Sequence, residues 1–508
     1  MTCTNKTIGD SKATRIVIGR DARISGKMIQ SFVQNSLISL GINVIDLDLS
    51  TTPTVELMVK EYNAHGGIII TASHNPTEWN ALKLLDENGE FLNSFEGEKI
   101  VAVGTEADTL AQSHKDVQKI DVSGLTVMPG LIDAHTHVTL GEPASNDELF
   151  NHRQPATAAL IAAHNVKKIL QAGVTSILDV DGIFNIGPAL RDAINAGITE
   201  GPSMKSGTFA LMTAVGGTAG RMIPDHGTAG YAEVVHNRDE MVRVVRRQIK
   251  DGADIIKIHV TGVIPARSGE IQVWTRDELK TVCDTAHDLG VRVTAHCRGD
   301  KATLDAVMAG VDIIWHASFL GDAALEAIID KKVPVGPVFT FLANLSEYGH
   351  KAGATSTAKS VFAGELEHTG SKLREAYDAG VKLLCGSASG FSMTPYGHWH
   401  AREMEVFVQH LGLTPLQAIT CATKDNAVAL DEDGETGCLA SGYRADVLIL
   451  DGDPSKNVSL LSDKSTFRHL FCRGKQVDLS PMPARSMFRG EQTSSWSEIA
   501  LTREVALS

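Results

Sequence analysis

The chain has 508 residues, more than the roughly 250 to 300 that one hydrophobic core organises, so we expect two or three domains. Its 43% hydrophobic and 21% charged residues are globular proportions, which exclude a wholly disordered, collagen-like or coiled-coil chain. With 47 Lys and Arg against 61 Asp and Glu, the net charge of −14 repels phosphate backbones and anionic lipid heads. Neither nucleic acid nor a membrane surface is therefore an expected partner.

The seven cysteines are an odd number scattered without CxxC spacing, and we expect reduced thiols rather than a disulfide framework. The first residues, MTCTNKTIGDSKATR, are polar and lack the apolar core of a secretory signal. No apolar run approaches the roughly 18 residues of a membrane span. These features favour a cytoplasmic protein.

The first part of the chain alternates β-rich and helical runs: RIVIGRD, SGKMIQSFVQNSLISLG, INVIDLDL, TPTVELMVKEYNA and GGIIITASHNP. This order predicts a βαβαβ unit with right-handed crossovers. The GRD at 19–21, TASHNP at 71–76 and NALK at 80–83 resemble the first domain of the phosphoglucomutase/phosphomannomutase family. The resemblance implies that Ser73 matches that family's phosphate-carrying serine. Nothing after residue 95 resembles the metal loop and sugar-phosphate site that mutase chemistry needs, so we expect residues 1–95 to be a non-catalytic module.

From residue 127 onward one pattern recurs, in which a helical stretch ends in glycine, an apolar strand follows, and a polar residue stands at the strand's exit. The glycine fits a helix C-cap, and the near-continuous apolar run fits a strand buried on both faces. Five strands of this kind, VTSILD, ADIIKI, VRVTAH, VDIIWH and VKLLCGS, follow Gly173, Gly252, Gly290, Gly310 and Gly380. VMPGLIDAHTH, SGTFALM and PVGPVFTFL bring the number to eight, which predicts an α/β fold with a (β/α)8 TIM-type barrel at 127–427 and its chemistry at the C-terminal strand ends. The alternative is an open doubly wound sheet, although no GxGxxG motif opens a helix.

Four histidines stand at predicted strand exits: His135, His137, His296 and His316. Residues i and i+2 of a strand share a face, so the first two can point together into the barrel mouth. Clustered imidazoles suit zinc, and we interpret these residues as metal ligands. For any one of them, the alternative is a core histidine with satisfied polar atoms.

Lys257 lies in the fourth predicted strand, and its ammonium has no lone pair with which to bind a metal. Buried beside two cations, its pKa would fall, and the neutral amine could capture carbon dioxide as a bridging carbamate. The alternative is a lysine that reaches solvent or pairs with an acid.

The motifs PGLIDAHTH, GADIIKI, AHCRG, HASF, GSASG, LTPLQAITCATKDNAVAL and GYRADVLILDGDP resemble the amidohydrolase superfamily from residue 97 to 478. Within it, the chain is most similar to prolidase-like imidodipeptidases and ochratoxin-hydrolysing carboxypeptidases. The resemblance implies two Zn²⁺ per chain, one held by His135 and His137 and the other by His296 and His316. Carboxylated Lys257 and a hydroxide would bridge them, and the hydroxide would attack the amide carbonyl. The expected reactions are cleavage of ochratoxin A to phenylalanine and ochratoxin alpha, or of Xaa-Pro-type dipeptides.

One departure from that family affects catalysis. The family has GTDSG or GSDSG after strand eight, where the aspartate binds metal and moves the proton from water to the leaving amine. Here Ala388 occupies that position and supplies neither ligand nor base. We therefore expect this chain to be an inactive variant, since general acid–base assistance is worth about 10² to 10⁴ in rate.

For the substrate, we single out Arg298 and His259, which lie two residues beyond His296 and Lys257 on the same strand faces, with Tyr396 and His398 in the loop after strand eight. Ordinary packing or salt bridging is the alternative for each.

Outside the barrel, we expect a small β-sandwich from 96–126 and 428–479, and a polar tail at 480–508. The resemblance also implies a homo-oligomer, an octamer in this subgroup. A phosphohexomutase-related protein and a non-catalytic binding protein are the alternative functions.

Overall fold

The computed structural model describes residues 14–23, 25–71, 81–85, 98–104, 107, 119–142, 154–217, 232–262, 270–353, 356–483 and 501–508. The chain divides into two compact units, Met1–Glu96 and Gly97–Ser508. None of the described helices is both long enough and apolar enough to cross a membrane.

The first unit is a four-stranded sheet with helices between its strands. Strand β1 (Arg15–Arg20) pairs in parallel with β2 (Asn43–Leu49) and β3 (Gly67–Thr71), and β4 (Ala81–Leu85) is antiparallel to β3. Helices α1 (Gly26–Ser39) and α2 (Thr52–Glu61) connect the parallel strands, which is the predicted alternation. Ser73 lies outside the described residues.

The second unit carries the rest of the secondary structure. Its strands are β5 (Leu125–Pro129), β6 (Leu131–Thr136), β7 (Val174–Asp179), β8 (Ser203–Ser206), β9 (Ala210–Thr213), β10 (Ala232–Val235), β11 (Ile255–His259), β12 (Thr261–Gly262), β13 (Ile271–Gln272), β14 (Arg292–Arg298), β15 (Ile313–Ser318), β16 (Val335–Gly336), β17 (Val447–Asp451), β18 (Phe467–Cys472) and β19 (Lys475–Gln476). Its helices are α3 (Pro155–Gln171), α4 (Ile186–Asn195), α5 (Arg238–Lys250), α6 (Arg276–His287), α7 (Asp300–Ala309), α8 (Asp322–Lys331), α9 (Phe339–Tyr348), α10 (Ser356–Asp378), α11 (Arg402–Leu411), α12 (Pro415–Thr420) and α13 (Arg503–Leu507).

Two parallel sheets form the centre of this unit, one in the order β6-β7-β8 and one in the order β10-β9-β11-β14-β15-β16. The segment 383–389 contacts both, because Leu383 bridges to Val335 of β16 and Ser389 bridges to Thr136 of β6. The two sheets also meet at β8 and β11, where the amide of Asp254, just before β11, donates to the carbonyl of Ser206 in β8 at 2.8 Å. Strands β6, β7 and β11 are buried along their whole length, as their apolar runs predict.

The five glycines predicted to end helices all have positive φ angles, from +75° at Gly290 to +103° at Gly310. L-residues with a side chain rarely adopt this left-handed conformation, so glycine ends each helix at low cost. Reading these glycines as helix ends from the sequence is confirmed.

Four strand predictions need revision. SGTFALM is not one strand, because it contains only the end of β8 and the start of β9, and residues 207–209 lie in neither. VMPGLIDAHTH is two strands, β5 and β6, separated at Gly130, where an added Cβ would lie 2.3 Å from Oγ1 of Thr175. PVGPVFTFL contains only the two-residue strand β16, because Phe339 begins α9 and the amides at that helix start donate to the buried carboxylate of Glu403. VKLLCGS makes an isolated bridge at Leu383 rather than a continuous strand.

An antiparallel sheet in the order β19-β18-β17-β5 brings residues 125–129 together with the 447–476 region. Only residues 125 and 126 of β5 belong to the segment predicted to meet 428–479 outside the barrel, and residues 127–129 belong to the predicted barrel. The residues from 501 onward are more than a polar tail, since Leu501 is buried and its carbonyl accepts a hydrogen bond from Nε1 of Trp399 at 2.8 Å.

Candidate active site

Four histidine rings form a continuous cluster at the carboxyl ends of three strands. His135 and His137, at the end of β6, have ring centroids 5.1 Å apart. His316, near the end of β15, lies 5.6 Å from His135 and 4.5 Å from His296 of β14, measured between ring centroids. Parallel neighbours end at the same edge of a sheet, which is why residues so far apart in the sequence meet here.

The backbone at the end of β15 adopts an uncommon conformation. His316, Ala317 and Phe319 have φ angles of +74°, +48° and +55°. Such conformations cost of order 1 to 3 kcal/mol each and are concentrated at functional sites, where the surrounding structure enforces them. The strand exit that carries His316 is therefore held in place by its packing.

Lys257, in β11, is buried at the same cluster, and its Nζ lies 5.8 Å from the centroid of the Trp315 ring. Burial lowers the pKa of Lys257 to about 8, although the Asp181 carboxylate partly opposes this. Burial and the nearby Lys257 charge also hold the pKa of His135 well below its ordinary value. Lys257 therefore loses its proton more easily than an exposed lysine does, and a neutral nitrogen has the lone pair that a metal ion or carbon dioxide requires.

The Asp181 carboxylate contacts two histidine side chains, those of His137 and His259. One carboxylate oxygen lies 2.6 Å from Nδ1 of His137, and the other lies 2.8 Å from Nε2 of His259. Burial acts to raise the pKa of Asp181, but its contacts with the two histidines outweigh it and hold the pKa well below the usual range. Burial lowers the pKa of His259 to about 4 despite that contact. Nδ1 of His137 also lies 3.1 Å from the backbone carbonyl oxygen of Asp181, so Asp181 holds the His137 ring through that nitrogen.

A second carboxylate, Glu270, reaches the cluster from the hairpin after β11. Its Oε2 lies 2.7 Å from Nε2 of His296, and its Oε1 lies 3.2 Å from a guanidinium nitrogen of Arg298. Burial acts to raise the pKa of Glu270, but His296 and Arg298 outweigh it and lower the pKa to about 2. Arg298 also pairs with the buried Glu365, so this predicted substrate contact is held between two carboxylates.

Ala388 lies directly beside β6. Its amide donates to the carbonyl of His135 at 2.9 Å, and the amide of His137 donates to the carbonyl of Ser389 at 2.9 Å. An added Cβ on Gly386 would be 2.5 Å from Cβ of His135, so the two segments run in close contact. Position 388 thus adjoins the histidine pair, but a methyl group is all that it presents there.

Of the two predicted substrate contacts after strand eight, Tyr396 touches the cluster, whereas the contact of His398 is with Glu504. The Tyr396 hydroxyl donates to the carbonyl of His137, and the side chain is buried. His398 lies 3.5 Å from a carboxylate oxygen of Glu504. Both line a cavity of about 640 Å³ that also includes Lys168, and none of the four clustered histidines is among its described lining residues. Tyr396 therefore contacts the backbone of the cluster, at His137.

In the described part of the chain, no three His, Cys, Asp or Glu side chains converge closely enough to hold a metal ion. The cluster nevertheless offers two histidine pairs, and Nδ1 of His135 is buried without a hydrogen-bond partner there. A carboxylated Lys257 would give each pair a third protein ligand, which an unmodified lysine cannot. The donor set therefore fits divalent ions, provided that Lys257 is modified.

Sequence reasoning missed three acids in this region. Asp181 could have been found from the sequence, because polar residues at strand exits identified the histidines and Asp181 comes two residues after β7 ends at Asp179. Asp133 is two residues before His135 and binds Nδ1 of His400 at 2.7 Å. Glu270 gave no such signal, since it follows no barrel strand and is placed by a hairpin.

Comparison with known proteins gives two matches to different parts of the chain. The amidohydrolase family model matches residues 126–477, more than half of the chain. The model for the α/β/α domain I of phosphoglucomutase/phosphomannomutase matches residues 2–110.

Individual relatives match the chain over very different lengths. The ochratoxinase of Aspergillus niger is 26% identical over 486 residues, which cover 90% of this chain and 93% of that protein. A phosphoglucomutase/phosphomannomutase from Thermococcus kodakarensis is 46% identical over 74 residues, 15% of this chain and 16% of that protein.

Among solved structures, a Xaa-Pro dipeptidase with bound methionine in the active site is 25% identical with a TM-score of 0.63, covering 81% of this chain and 98% of that one. The second unit thus has the α/β architecture of prolidase-like enzymes, and the family match spans both the histidine cluster and the antiparallel sheet. The chain belongs to the amidohydrolase family.

Proposed function

We propose that this chain is a zinc-dependent hydrolase of an amide bond to a terminal amino acid. The observation that carries the proposal is the convergence of His135, His137, His296 and His316 beside the buried Lys257. Family membership supports amide hydrolysis as the reaction.

The proposed scaffold is a (β/α)8 barrel at 127–427 with a small β-sandwich from 96–126 and 428–479. The contacts of segment 383–389 with β6 and β16, and of Asp254 with Ser206, support closure of the barrel. The sheet β19-β18-β17-β5 supports the second domain, although β5 extends to Pro129 and shares its segment with the start of the barrel.

In the proposed site, His135 and His137 would hold one zinc ion, His296 and His316 would hold the second, and carboxylated Lys257 would supply a further ligand. When bound, the ions would polarise the scissile carbonyl and lower the pKa of a water molecule. Asp181 orients the His137 ring, and Tyr396 fixes the backbone behind it through the His137 carbonyl.

The proposed substrates are ochratoxin A, cleaved to phenylalanine and ochratoxin alpha, and Xaa-Pro-type dipeptides. The names of the A. niger ochratoxinase and of the Xaa-Pro dipeptidase support these two classes. Arg298 already pairs with Glu270 and Glu365, so a substrate carboxylate must compete with these two acids for the guanidinium. Arg298 is therefore proposed to bind substrate only together with them. His259, Tyr396 and His398 remain proposed contacts, and a homo-octamer is the proposed assembly.

We further propose that Ala388 makes this chain a poor catalyst that still binds substrate. Position 388 adjoins the His135–His137 pair, but alanine has no group that accepts a proton from water. Residues 1–95 are proposed to be non-catalytic, because the mutase relative is matched over only 16% of its length.

The test of the metal site is the zinc content of the purified chain after chelation and reconstitution with zinc, with and without bicarbonate. We expect about two zinc ions per chain with bicarbonate and fewer without it, because carbon dioxide is needed for the Lys257 carbamate. A zinc content far below one ion per chain under both conditions would contradict the proposed function.

A further inference from the structure

A buried pair, Asp133 and His400, connects three segments of the chain at the candidate active site. Oδ2 of Asp133 lies 2.7 Å from Nδ1 of His400, and both side chains are 1% exposed. Oδ1 of Asp133 accepts from the amides of His135 and Ser387, each at 3.1 Å. Asp133 lies in β6, Ser387 directly precedes residue 388, and His400 lies in the loop that follows. One carboxylate therefore ties the strand of the first histidine pair to the chain on both sides of residue 388.

The contacts of His400 use both of its ring nitrogens. The amide of Gly397 donates to Nε2 at 2.9 Å, so this nitrogen holds a lone pair and no proton. Nδ1 therefore carries the proton of the ring and donates to Asp133. Since neither nitrogen is left for a substrate or a metal ion, His400 can act on the site only through Asp133 and the backbone.

Residue 388 itself has an uncommon backbone conformation. Ala388 has a φ of +48°, which residues with a side chain rarely adopt and which aspartate adopts more readily than alanine. Such conformations persist only where the surrounding structure enforces them, and they are concentrated at functional sites. The residues on either side are fixed, because the amide of Ser387 donates to Asp133 and the amide of Ser389 donates to the Ser387 hydroxyl oxygen at 3.0 Å. Through Ser387, the Asp133–His400 pair thus helps to hold residue 388 in this conformation.

We infer that Asp133 and His400 are positioning residues that hold residue 388 against the His135–His137 pair. The inference rests on the proposed function, in which a carboxylate at position 388 would transfer the proton. It adds a requirement to that function. An aspartate at position 388 works only while the Asp133–His400 contact keeps its backbone in place.

The first experiment introduces His400→Leu and His400→Asn into the full-length Ala388→Asp chain, loaded with zinc and bicarbonate, and measures kcat and KM. The substrate is whichever of ochratoxin A and the Xaa-Pro and Xaa-Phe dipeptides the Ala388→Asp chain hydrolyses fastest. We expect His400→Leu to lower kcat about 10- to 100-fold with little change in KM, because a displaced carboxylate impairs proton transfer more than binding. His400→Asn should keep most of the rate, since its amide nitrogen can still donate to Asp133.

The matched control is His287→Leu, which breaks a histidine–aspartate contact of 2.8 Å with Asp312 at the amino end of β15. It should leave both constants unchanged. A second measurement needs neither zinc nor activity, namely hydrogen exchange of the amides at 387–389 in the metal-free chain with Ala388 retained. Exchange there should be faster in His400→Leu and unaltered in His287→Leu.

If His400→Leu does not fold, Asp133→Asn breaks the same contact while its Oδ1 can still accept from the two amides, and it should cause the same loss of kcat. Unchanged kcat or unchanged exchange in the His400→Leu chain, or equal effects in His287→Leu, would overturn the inference and leave the proposed function standing. If Ala388→Asp hydrolyses none of the substrates, the proposed role of position 388 fails first and the inference fails with it. The activity of Ala388→Asp alone therefore distinguishes the two failures.

Discussion

The two units of this chain differ in the identity and the length of their matches to known enzymes. The first unit is 46% identical to an archaeal mutase, but over 74 residues that cover 16% of that enzyme. The chain as a whole is only 26% identical to ochratoxinase, but over 93% of it. High identity over a short stretch identifies a piece of a fold, whereas low identity over the whole length can preserve a site.

The geometry of the second unit explains why coverage matters more than identity here. The ring cluster draws on residues from His135 to His316, which only the complete set of strand ends brings together. The first unit has a small core around Val17, Val55 and Ile69, and it offers a βαβ scaffold to which a mutase would add further domains. A site assembled from distant residues is therefore a property of a whole domain.

The sharpest way to test this contrast is to disturb one unit at a time. Asp181→Asn should lower zinc affinity about 10- to 100-fold, because the carboxylate in contact with His137 and His259 is lost while the proposed ligands remain. Zinc competition titration measures this change. Ser73→Ala in the first unit is the control and should leave zinc affinity unaltered. Equal effects of the two substitutions would remove the distinction between the units.

A smaller effect concerns the stability of the second unit. Glu403, in α11, is fully buried against the start of α9, where two amides and a hydroxyl donate to its carboxylate. Burial outweighs these hydrogen bonds and raises the pKa of Glu403 to about 7. The folded state thus keeps this proton to a higher pH than the unfolded state does, so the stabilisation is present below about pH 4.5 and is lost as the pH rises to about 7. The shift corresponds to about 3 kcal/mol at most.

Buried histidines act in the opposite direction over this range, because a pKa lowered to about 4, as at His259, adds stability while the pH rises from 5 to 7. The expected result is therefore a difference: between pH 5 and pH 7 the metal-free unmodified protein should lose several degrees of melting temperature relative to Glu403→Gln, which cannot ionise. Burial raises the pKa of Asp179 to about 7 as well, so part of the pH dependence should persist. The same pH dependence in the variant would show that Glu403 does not ionise over this range.

Much of the fold and the ring cluster could be predicted from the sequence, for local physical reasons. Glycine after a helix and apolar runs in strands identified most of the elements, and the strand-exit rule located the four histidines. The rule failed where a tertiary contact overrides local preference. FTFL looks like a strand but begins a helix, because the Glu403 carboxylate binds its first amides.

Side-chain partners were harder to predict than positions. The pairing of Arg298 with Glu270 and Glu365 joins three segments that no periodicity relates, and it converts a predicted substrate contact into part of a charge network. Glu270 itself lies just before β13, within a hairpin whose register only the folded chain shows.

The most direct test of the account is the rate of amide hydrolysis by Ala388→Asp compared with the unmodified chain, both loaded with zinc and bicarbonate and assayed with ochratoxin A and with Xaa-Pro and Xaa-Phe dipeptides. If the ring cluster is a hydrolase site that lacks only its proton-transferring carboxylate, the variant should be about 10² to 10⁴ times faster on at least one substrate. A variant that holds two zinc ions and is no faster on any of them would contradict the assignment of residue 388 and of the site beside it.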